Sequence, residues 1–138
     1  MKFNKLVPEL KVTNLKNSLD FYSCIGFKIE YQRDSFVFLS FQGSQIMLEK
    51  INTNWSTGKL VRPFGRGINF QIEVKKIRPL VEALKKNKYS IFQKLKDNWY
   101  KISGANDKNK FVGCREFLVQ DPDGYLLRFS ESLGIKKS

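Results

Sequence analysis

Histidine is absent from this 138-residue sequence, and its absence excludes a large class of chemistry. Imidazole is the common general base near neutral pH and a frequent metal ligand. Histidine-based catalysis and histidine-ligated metal sites are therefore ruled out. The two cysteines, Cys24 and Cys114, form no CxxC pair and are too few for a thiolate zinc site. We expect both to be buried free thiols, and we expect neither a metal nor another cofactor.

Long apolar runs are also missing. Charged residues interrupt every such run well before the roughly 18 residues that a transmembrane helix needs. The first residues, 1–5, lead directly into a proline and charged residues, without the apolar stretch of a signal peptide. We therefore expect a cytoplasmic protein with no membrane partner.

Acidic residues are scarce: there are 13, against 25 lysines and arginines, which gives a net charge of +12. Such an excess is compatible with nucleic acids or anionic ligands. Specific nucleic-acid readers, however, rely on arginine forks and a recognisable motif. Most of the basic residues here are scattered lysines, and no such motif is present. We interpret the charge as a solvated lysine-rich surface and do not expect a nucleic-acid partner.

The first fifty residues alternate apolar and polar side chains in four stretches, with one helical stretch after the first. Alternation over residues 6–12 predicts a strand, and the apolar spacing that begins at Leu15 predicts a helix that ends at Gly26. Three more strands are predicted over 27–31, 36–41 and 45–50. This half of the chain therefore reads β-α-β-β-β.

The same pattern returns after a connector that is rich in turn-forming residues. Without a gap, Leu10 aligns with Ile72 and Phe27 with Tyr89. The predicted elements are a strand over 68–74, a helix over 77–87, a strand that opens at 89–92, a hairpin loop over 103–110, and strands over 115–120 and 125–129. We predict an α+β protein of one domain, 1–138, with module one at 5–50, the connector at 51–66 and module two at 67–133.

Three motifs occur in a fixed order along this duplicated pattern. The segment 15–22, followed by Ile25-Gly26-Phe27, has the form S-x-x-FY…GF. Gly65–Phe70 lies at the start of the second module, and 113–129 has the form G-REF…DPDG…L-RF. Together they resemble the bleomycin-resistance branch of the vicinal oxygen chelate superfamily, which includes glyoxalase I and extradiol dioxygenases. The resemblance implies two βαβββ modules that form a curved mixed sheet, and a homodimer with grooves between its subunits.

The enzymes of that superfamily hold a metal with four side chains on four strands. In this sequence the corresponding positions fall on Val7, on Met47 or Glu49, on Gly67 and on Arg128. At most one of these is a metal ligand, and a divalent cation beside Arg128 would be repelled. The resemblance thus implies the fold without the metal chemistry, as in the drug-binding branch, and we expect a protein that is not an enzyme.

Aromatic and polar residues are the candidates for a ligand groove, because rings stack on planar heterocycles and polar groups orient them. Each of the phenylalanines has core packing as its alternative, whereas Trp55 and the Trp99-Tyr100 pair lie in polar segments. Arg128 either pairs with a carboxylate, such as Glu9 or Glu49, or awaits an anionic ligand. The candidate ligand-binding residues are Asp34, Phe36, Phe38, Glu49, Trp55, Phe64, Asn69, Trp99, Tyr100, Arg115 and Arg128.

Three functions are compatible with these observations. The resemblance implies a protein that sequesters a bleomycin-type antibiotic in aromatic grooves at a dimer interface. Because such drugs are cationic and the chain carries +12, a binding protein or sensor for an anionic aromatic metabolite is the alternative. A glyoxalase-like enzyme is the third, and the unfilled metal-ligand positions weigh against it.

Overall fold

The structure is a computed structural model that describes residues 2–104 and 110–137. Within these ranges the chain forms two helices and eight strands. In chain order they are β1 (Glu9–Val12), α1 (Leu15–Ile25), β2 (Lys28–Arg33), β3 (Phe36–Phe41), β4 (Ser44–Lys50), β5 (Asn69–Glu73), α2 (Arg78–Lys86), β6 (Gln93–Ile102), β7 (Lys110–Gln120) and β8 (Leu126–Lys137).

The strands form two four-stranded sheets of the same topology. The first has the order β1-β4-β3-β2 and the second the order β5-β8-β7-β6. Each sheet is mixed: β1 and β4 run parallel, as do β5 and β8, whereas β2–β3, β3–β4 and β6–β7 are antiparallel. The predicted α+β class and the duplicated βαβββ pattern are confirmed.

The chain forms two compact units that correspond to the two modules, except that one short segment of the second module belongs to the first unit. The first unit contains the residues up to Ile68 together with Gln120–Tyr125, and the second contains Asn69–Val119 and the residues from Leu126 onward. The turn between β7 and β8 therefore belongs to the first unit, although the flanking strands belong to the second.

Helix α1 of the first unit has clear start and stop signals. The side chain of Asn14 accepts a hydrogen bond from the backbone N–H of Asn17 at 3.0 Å, which caps the amino-terminal end. Gly26 ends the helix with φ +113, a conformation that other residues rarely adopt. Phe21 and Tyr22 on the inner face of α1 are fully buried, as are Val12 of β1 and Leu48 of β4. These four residues form part of the core of the first unit.

Helix α2 of the second unit buries Leu80 and Leu84, and Pro79 occupies its first turn, where the missing N–H costs nothing. The backbone N–H of Ile77 donates to Glu131 at 2.8 Å just before the helix begins. The core of this unit also contains Ile72, Val74, Phe117, Val119, Leu127 and Phe129, each at most 4% exposed. Alternation predicted this burial for the residues of β5 and β8.

Three predicted strand boundaries in the second module are wrong. Residues 89–92 are not a strand, and β6 begins only at Gln93. Strand β7 begins at Lys110, before the predicted start at residue 115. The last strand does not end at residue 129 but extends to Lys137. The β6 side chains are mostly exposed on both faces, so no apolar alternation marks this edge strand. Part of the predicted 103–110 hairpin loop, residues 105–109, lies outside the described residues.

Neither of the two helices in the described parts of the chain is long and apolar enough to cross a membrane.

Candidate ligand-binding face

The face of the second sheet that is opposite its apolar core carries a group of polar side chains. Phe117 of β7 and Phe129 of β8 point to the core side, where their rings stack 5.4 Å apart. Because successive strand residues point to opposite faces, the neighbouring Glu116 and Arg128 point away from the core. We name the residues of this group the Glu116 cluster: Asn69, Asn98, Tyr100, Glu116 and Arg128.

Strand register brings the remaining members of the cluster to the same face. Asn98 of β6 is paired with Cys114 of β7, two residues before Glu116. On the other side of the sheet, Gln71 of β5 is paired with Arg128 of β8. Asn69, two residues before Gln71, therefore shares the face with Arg128.

The Glu116 carboxylate is the centre of the cluster and is only 4% exposed. Its Oε1 accepts hydrogen bonds from the Asn98 amide at 2.8 Å and from the Tyr100 hydroxyl. Its Oε2 lies 3.5 Å from a terminal guanidinium nitrogen of Arg128, which completes an ion pair. A buried carboxylate is tolerated when donors surround it in this way.

Arg128 is held from a second side, because its Nε donates to Oδ1 of Asn69 at 3.1 Å. The predicted ion pair of Arg128 therefore forms, but its partner is Glu116. The expected partner Glu49 is bound to Lys11 in the first unit instead. The list of candidate ligand-binding residues omits Glu116 and Asn98. The alternation of side chains around Phe117 could have indicated that Glu116 points away from the core. No signal in the sequence indicated Asn98, because the position of β6 was predicted wrongly.

Two ionisable groups of this face, Tyr100 and Cys114, have pKa values that are raised by their surroundings. The hydrogen bond to the Glu116 carboxylate raises the pKa of Tyr100, so its phenol stays protonated. Burial raises the pKa of the Cys114 thiol, which disfavours the reactive thiolate. The Tyr100 side chain is still 47% exposed, so its ring is accessible to a ligand.

Two of the three predicted groove phenylalanines of the first unit, Phe36 and Phe38, lie in an aromatic cluster instead. Phe36 is 4% exposed and Phe38 is fully buried. Tyr31 stacks on Phe38 at 5.2 Å, and Phe3 approaches Phe38 edge-on at the same distance. The Arg33 guanidinium lies 4.5 Å above the Phe36 ring. In this conformation Phe36 and Phe38 offer almost no accessible surface to a ligand.

The predicted acidic residues of the first unit have different surroundings. Glu49 of β4 pairs with Lys11 on the adjacent strand, and the hydrogen bond from Lys11 lowers the pKa of Glu49. Asp34 is exposed in the turn between β2 and β3, with φ +40. Neither residue lines the pocket beside the DPDG turn.

The connector holds two predicted residues in contrasting environments. Trp55 is 83% exposed, which leaves its ring available for a ligand or a partner. Phe64 is only 5% exposed and packs edge-on against Tyr125, with 5.9 Å between the ring centroids. Phe64 therefore serves the packing of the first unit.

Trp99 and Arg115 point to the face of the second sheet that is opposite the Glu116 cluster. The Lys136 ammonium lies 3.9 Å from the centroid of the Trp99 ring, in a cation–π contact. Arg115 makes two contacts with Asp97, Nε to Oδ1 at 2.8 Å and a terminal nitrogen to Oδ2 at 3.2 Å. Of the predicted ligand-binding residues, the structure thus brings together Asn69, Tyr100 and Arg128.

The DPDG turn, residues 121–124, is a structural element of the first unit. Oδ1 of Asp121 accepts the backbone N–H groups of Asp123 and Tyr125, and its Oδ2 accepts the Tyr22 hydroxyl at 2.7 Å. Burial raises the pKa of Asp121 to about 6. Asp123, fully buried, accepts from the hydroxyl of Thr13 at 2.6 Å. The hydrogen bonds of both carboxylates therefore hold the turn against the junction between β1 and α1.

The donors at the superfamily's metal positions do not fit a metal ion. Val7 and Gly67 offer no side-chain donor, Glu49 is neutralised by Lys11, and Arg128 is itself cationic. Among the described residues, no three histidine, cysteine or acidic side chains are grouped so that they could hold a metal ion.

Comparisons by sequence find no relative: no protein-family model matches the chain, and no curated protein matches it. Solved structures do match. TioX from Micromonospora sp. ML1 superimposes with a TM-score of 0.71 at 18% identity, over 95% of this chain and 100% of that one. An integron cassette protein from the mobile metagenome of V. cholerae gives 0.66 at 20% identity, over 95% and 97%.

A third solved structure carries the superfamily's name. The glyoxalase/bleomycin resistance protein/dioxygenase from Alicyclobacillus acidocaldarius superimposes with a TM-score of 0.62 at 17% identity, over 94% of this chain and 92% of that one. Likeness at such low identity concerns the fold, and the two βαβββ sheets described above agree with it. The chain therefore has the fold of the glyoxalase/bleomycin resistance protein/dioxygenase superfamily.

Proposed function

We propose that this chain is a metal-free member of that superfamily that binds a small molecule without catalysis, and that its ligand lies on the Glu116 cluster. One observation carries the proposal: the buried Glu116 carboxylate is already bound by Asn98, Tyr100 and Arg128. A carboxylate with these partners is not available as a metal ligand or a general base. The same hydrogen bonds hold the surrounding side chains in place for a ligand.

The chemistry of the cluster favours a planar ligand that is neutral or cationic. The exposed ring of Tyr100 provides a surface for stacking, and the amides of Asn69 and Asn98 provide polar contacts at its edge. The positive charge of Arg128 is matched by Glu116, so this face does not attract an anion strongly. A bleomycin-type antibiotic, with its planar heterocycles and cationic groups, is the ligand that we propose.

The capture mechanism that follows is stoichiometric: the drug is held on the cluster and is withheld from its target. We propose that the groove is completed by a second copy of the chain, since one exposed ring does not enclose a planar ligand from both sides. Trp55 is an accessible aromatic residue that a partner copy can contribute.

Calorimetric titration of the protein with metal-free bleomycin at 0.15 M salt tests this proposal. We expect saturable binding of one drug per chain and at least a tenfold loss of affinity in Tyr100→Leu. Phe92→Leu is the matched control, because Phe92 is a 59% exposed aromatic residue of the same unit outside the cluster. Absence of binding at tens of micromolar drug, or equal losses in both variants, would contradict the proposal.

A further inference from the structure

A groove of about 860 Å³ lies within the second unit, between α2 and the edge strand β6. Helix α2 directs Leu80 and Leu84 into the core. Val81 and Lys85, each one residue further along, line the groove instead. Strand β6 forms the opposite wall with its residues 94–97. The volume lies within the range of pockets that hold small organic ligands, roughly 300–1,000 Å³.

The charge of this groove is strongly unbalanced. Its lining residues include five cationic and two acidic ones. Arg115 and Asp97 neutralise each other through their two-contact ion pair. Lys96 is paired with Glu116 across the strands, so its side chain points to the opposite face. Three cations then remain with a single acid, Glu82. These cations are Arg78 and Lys85 of α2 and Lys94 of β6, and none of them has an ion-pair partner among the described residues.

Apolar side chains form the remaining lining of the groove. Val81 of α2, Ile91 and Leu95 are each partly exposed. Water in contact with these groups is released when an apolar body covers them, and this release favours binding. An inorganic anion would neutralise the cations but would leave the apolar side chains of the groove in contact with water.

We propose that this groove is a second binding site that takes an aryl phosphate, a small aromatic body that carries a phosphate group. The phosphate supplies close to two negative charges at neutral pH for the surplus cations, and the ring covers Val81, Ile91 and Leu95. The site lies on the core side of β6 at Asp97, whereas the Glu116 cluster contains its neighbour Asn98 on the opposite face. The proposal does not rest on the ligand proposed for that cluster.

Calorimetric titration with 1-naphthyl phosphate at 0.15 M salt provides the test. The double variant Lys85→Gln/Lys94→Gln removes two groove cations, and Lys5→Gln/Lys59→Gln removes the same charge from exposed positions of the first unit. We expect one ligand per chain, at least a tenfold weaker affinity in the groove variant, and less than a twofold change in the control. Inorganic phosphate and 1-naphthol should each bind at least tenfold more weakly than 1-naphthyl phosphate.

Three results would overturn the proposal. Equal weakening in both double variants would mean that only the net charge attracts the ligand. Inorganic phosphate as tight as 1-naphthyl phosphate would mean that the apolar lining plays no part. Loss of binding in Tyr100→Leu would place the aryl phosphate on the Glu116 cluster instead. Failure of bleomycin to bind that cluster leaves this test unaffected, so the two proposals fail separately.

Discussion

The hydroxyl of Tyr22 donates to Oδ2 of Asp121 at 2.7 Å, which joins helix α1 to the DPDG turn inside the first unit. Both residues are buried. Burial raises the pKa of Tyr22 well above its usual value, so the phenol stays protonated and remains a donor near neutral pH. Burial also raises the pKa of Asp121, to about 6. The turn is therefore tied to the helix by a contact whose acceptor titrates close to the physiological range.

The first prediction concerns the pH dependence that Asp121 creates. Its pKa is about 6 in the folded protein and close to the ordinary value of 3.8 when unfolded. The folded state thus binds more protons between these values, so this group lowers the free energy of unfolding as the pH rises from about 4 to about 6. The free energy of unfolding falls by at most about 3 kcal/mol over this range. Urea denaturation at several pH values measures this change.

Asp121→Asn is the reference for this measurement, because the amide does not titrate and retains an oxygen for the two backbone N–H groups. Relative to this variant, the wild type should lose stability as the pH rises through the window. Glu30 and Glu49 have lowered pKa values, so they act in the opposite direction and at lower pH. A stability difference between wild type and variant that stays constant from pH 4 to 7 would contradict the prediction.

The second prediction concerns the Tyr22 hydroxyl itself. Tyr22→Phe keeps the ring packing but leaves Oδ2 of Asp121 without this donor, so we expect a loss of about 1–3 kcal/mol in the free energy of unfolding. Tyr31→Phe is the matched control, because Tyr31 lies partly exposed and contributes its ring to the stack on Phe38. It should change stability by less than about 0.5 kcal/mol. Equal effects would rule out a special role for the buried contact.

The third prediction tests the Glu116 cluster as a network. Glu116→Ala removes the acceptor for Asn98, Tyr100 and Arg128 at once, and we expect it to cost about 2–4 kcal/mol of stability. Glu116→Gln retains one carbonyl oxygen and should cost less. It should also lower the pKa of Tyr100 toward the usual value, which ultraviolet titration of the phenol detects.

Glu82→Ala serves as the control for these two variants, since Glu82 is an exposed acid of the same unit. It should leave stability nearly unchanged. If Glu116→Ala proved as stable as Glu82→Ala, the cluster would not be the preorganised face that the proposed function requires.

The fourth prediction uses the close approach of Trp99 to Gly113. A Cβ atom built at Gly113 would lie 2.5 Å from the Trp99 ring, which is far inside van der Waals contact. Gly113→Ala should therefore displace the indole, disturb its contact with Lys136 and shift its fluorescence. In a Trp99→Leu background the same substitution should be nearly neutral for stability. Additive effects in this double-mutant cycle would show that the two residues do not interact.

The sequence predicted the elements that have one face in the core and the other face outside it. Alternation identified the strands around Val12 and Ile72, because each has one face in the core and one outside it. It failed for β6, whose residues are exposed on both faces. The motif 113–124 was used as a family signature, so Glu116 was not recognised as the centre of the cluster and the DPDG carboxylates were not recognised as anchors for Tyr22 and Thr13.

The sequence alone determined the duplicated βαβββ pattern and the helix stop at Gly26, because the first depends on local periodicity and the second on the backbone of a single residue. Tertiary structure decided that Arg128 pairs with Glu116 and that Phe36 and Phe38 are covered. It also created the groove between α2 and β6. Such relationships depend on strand order, register and helix placement, which bring together residues that are distant in the chain. No local pattern in the sequence specifies which distant residues will come into contact.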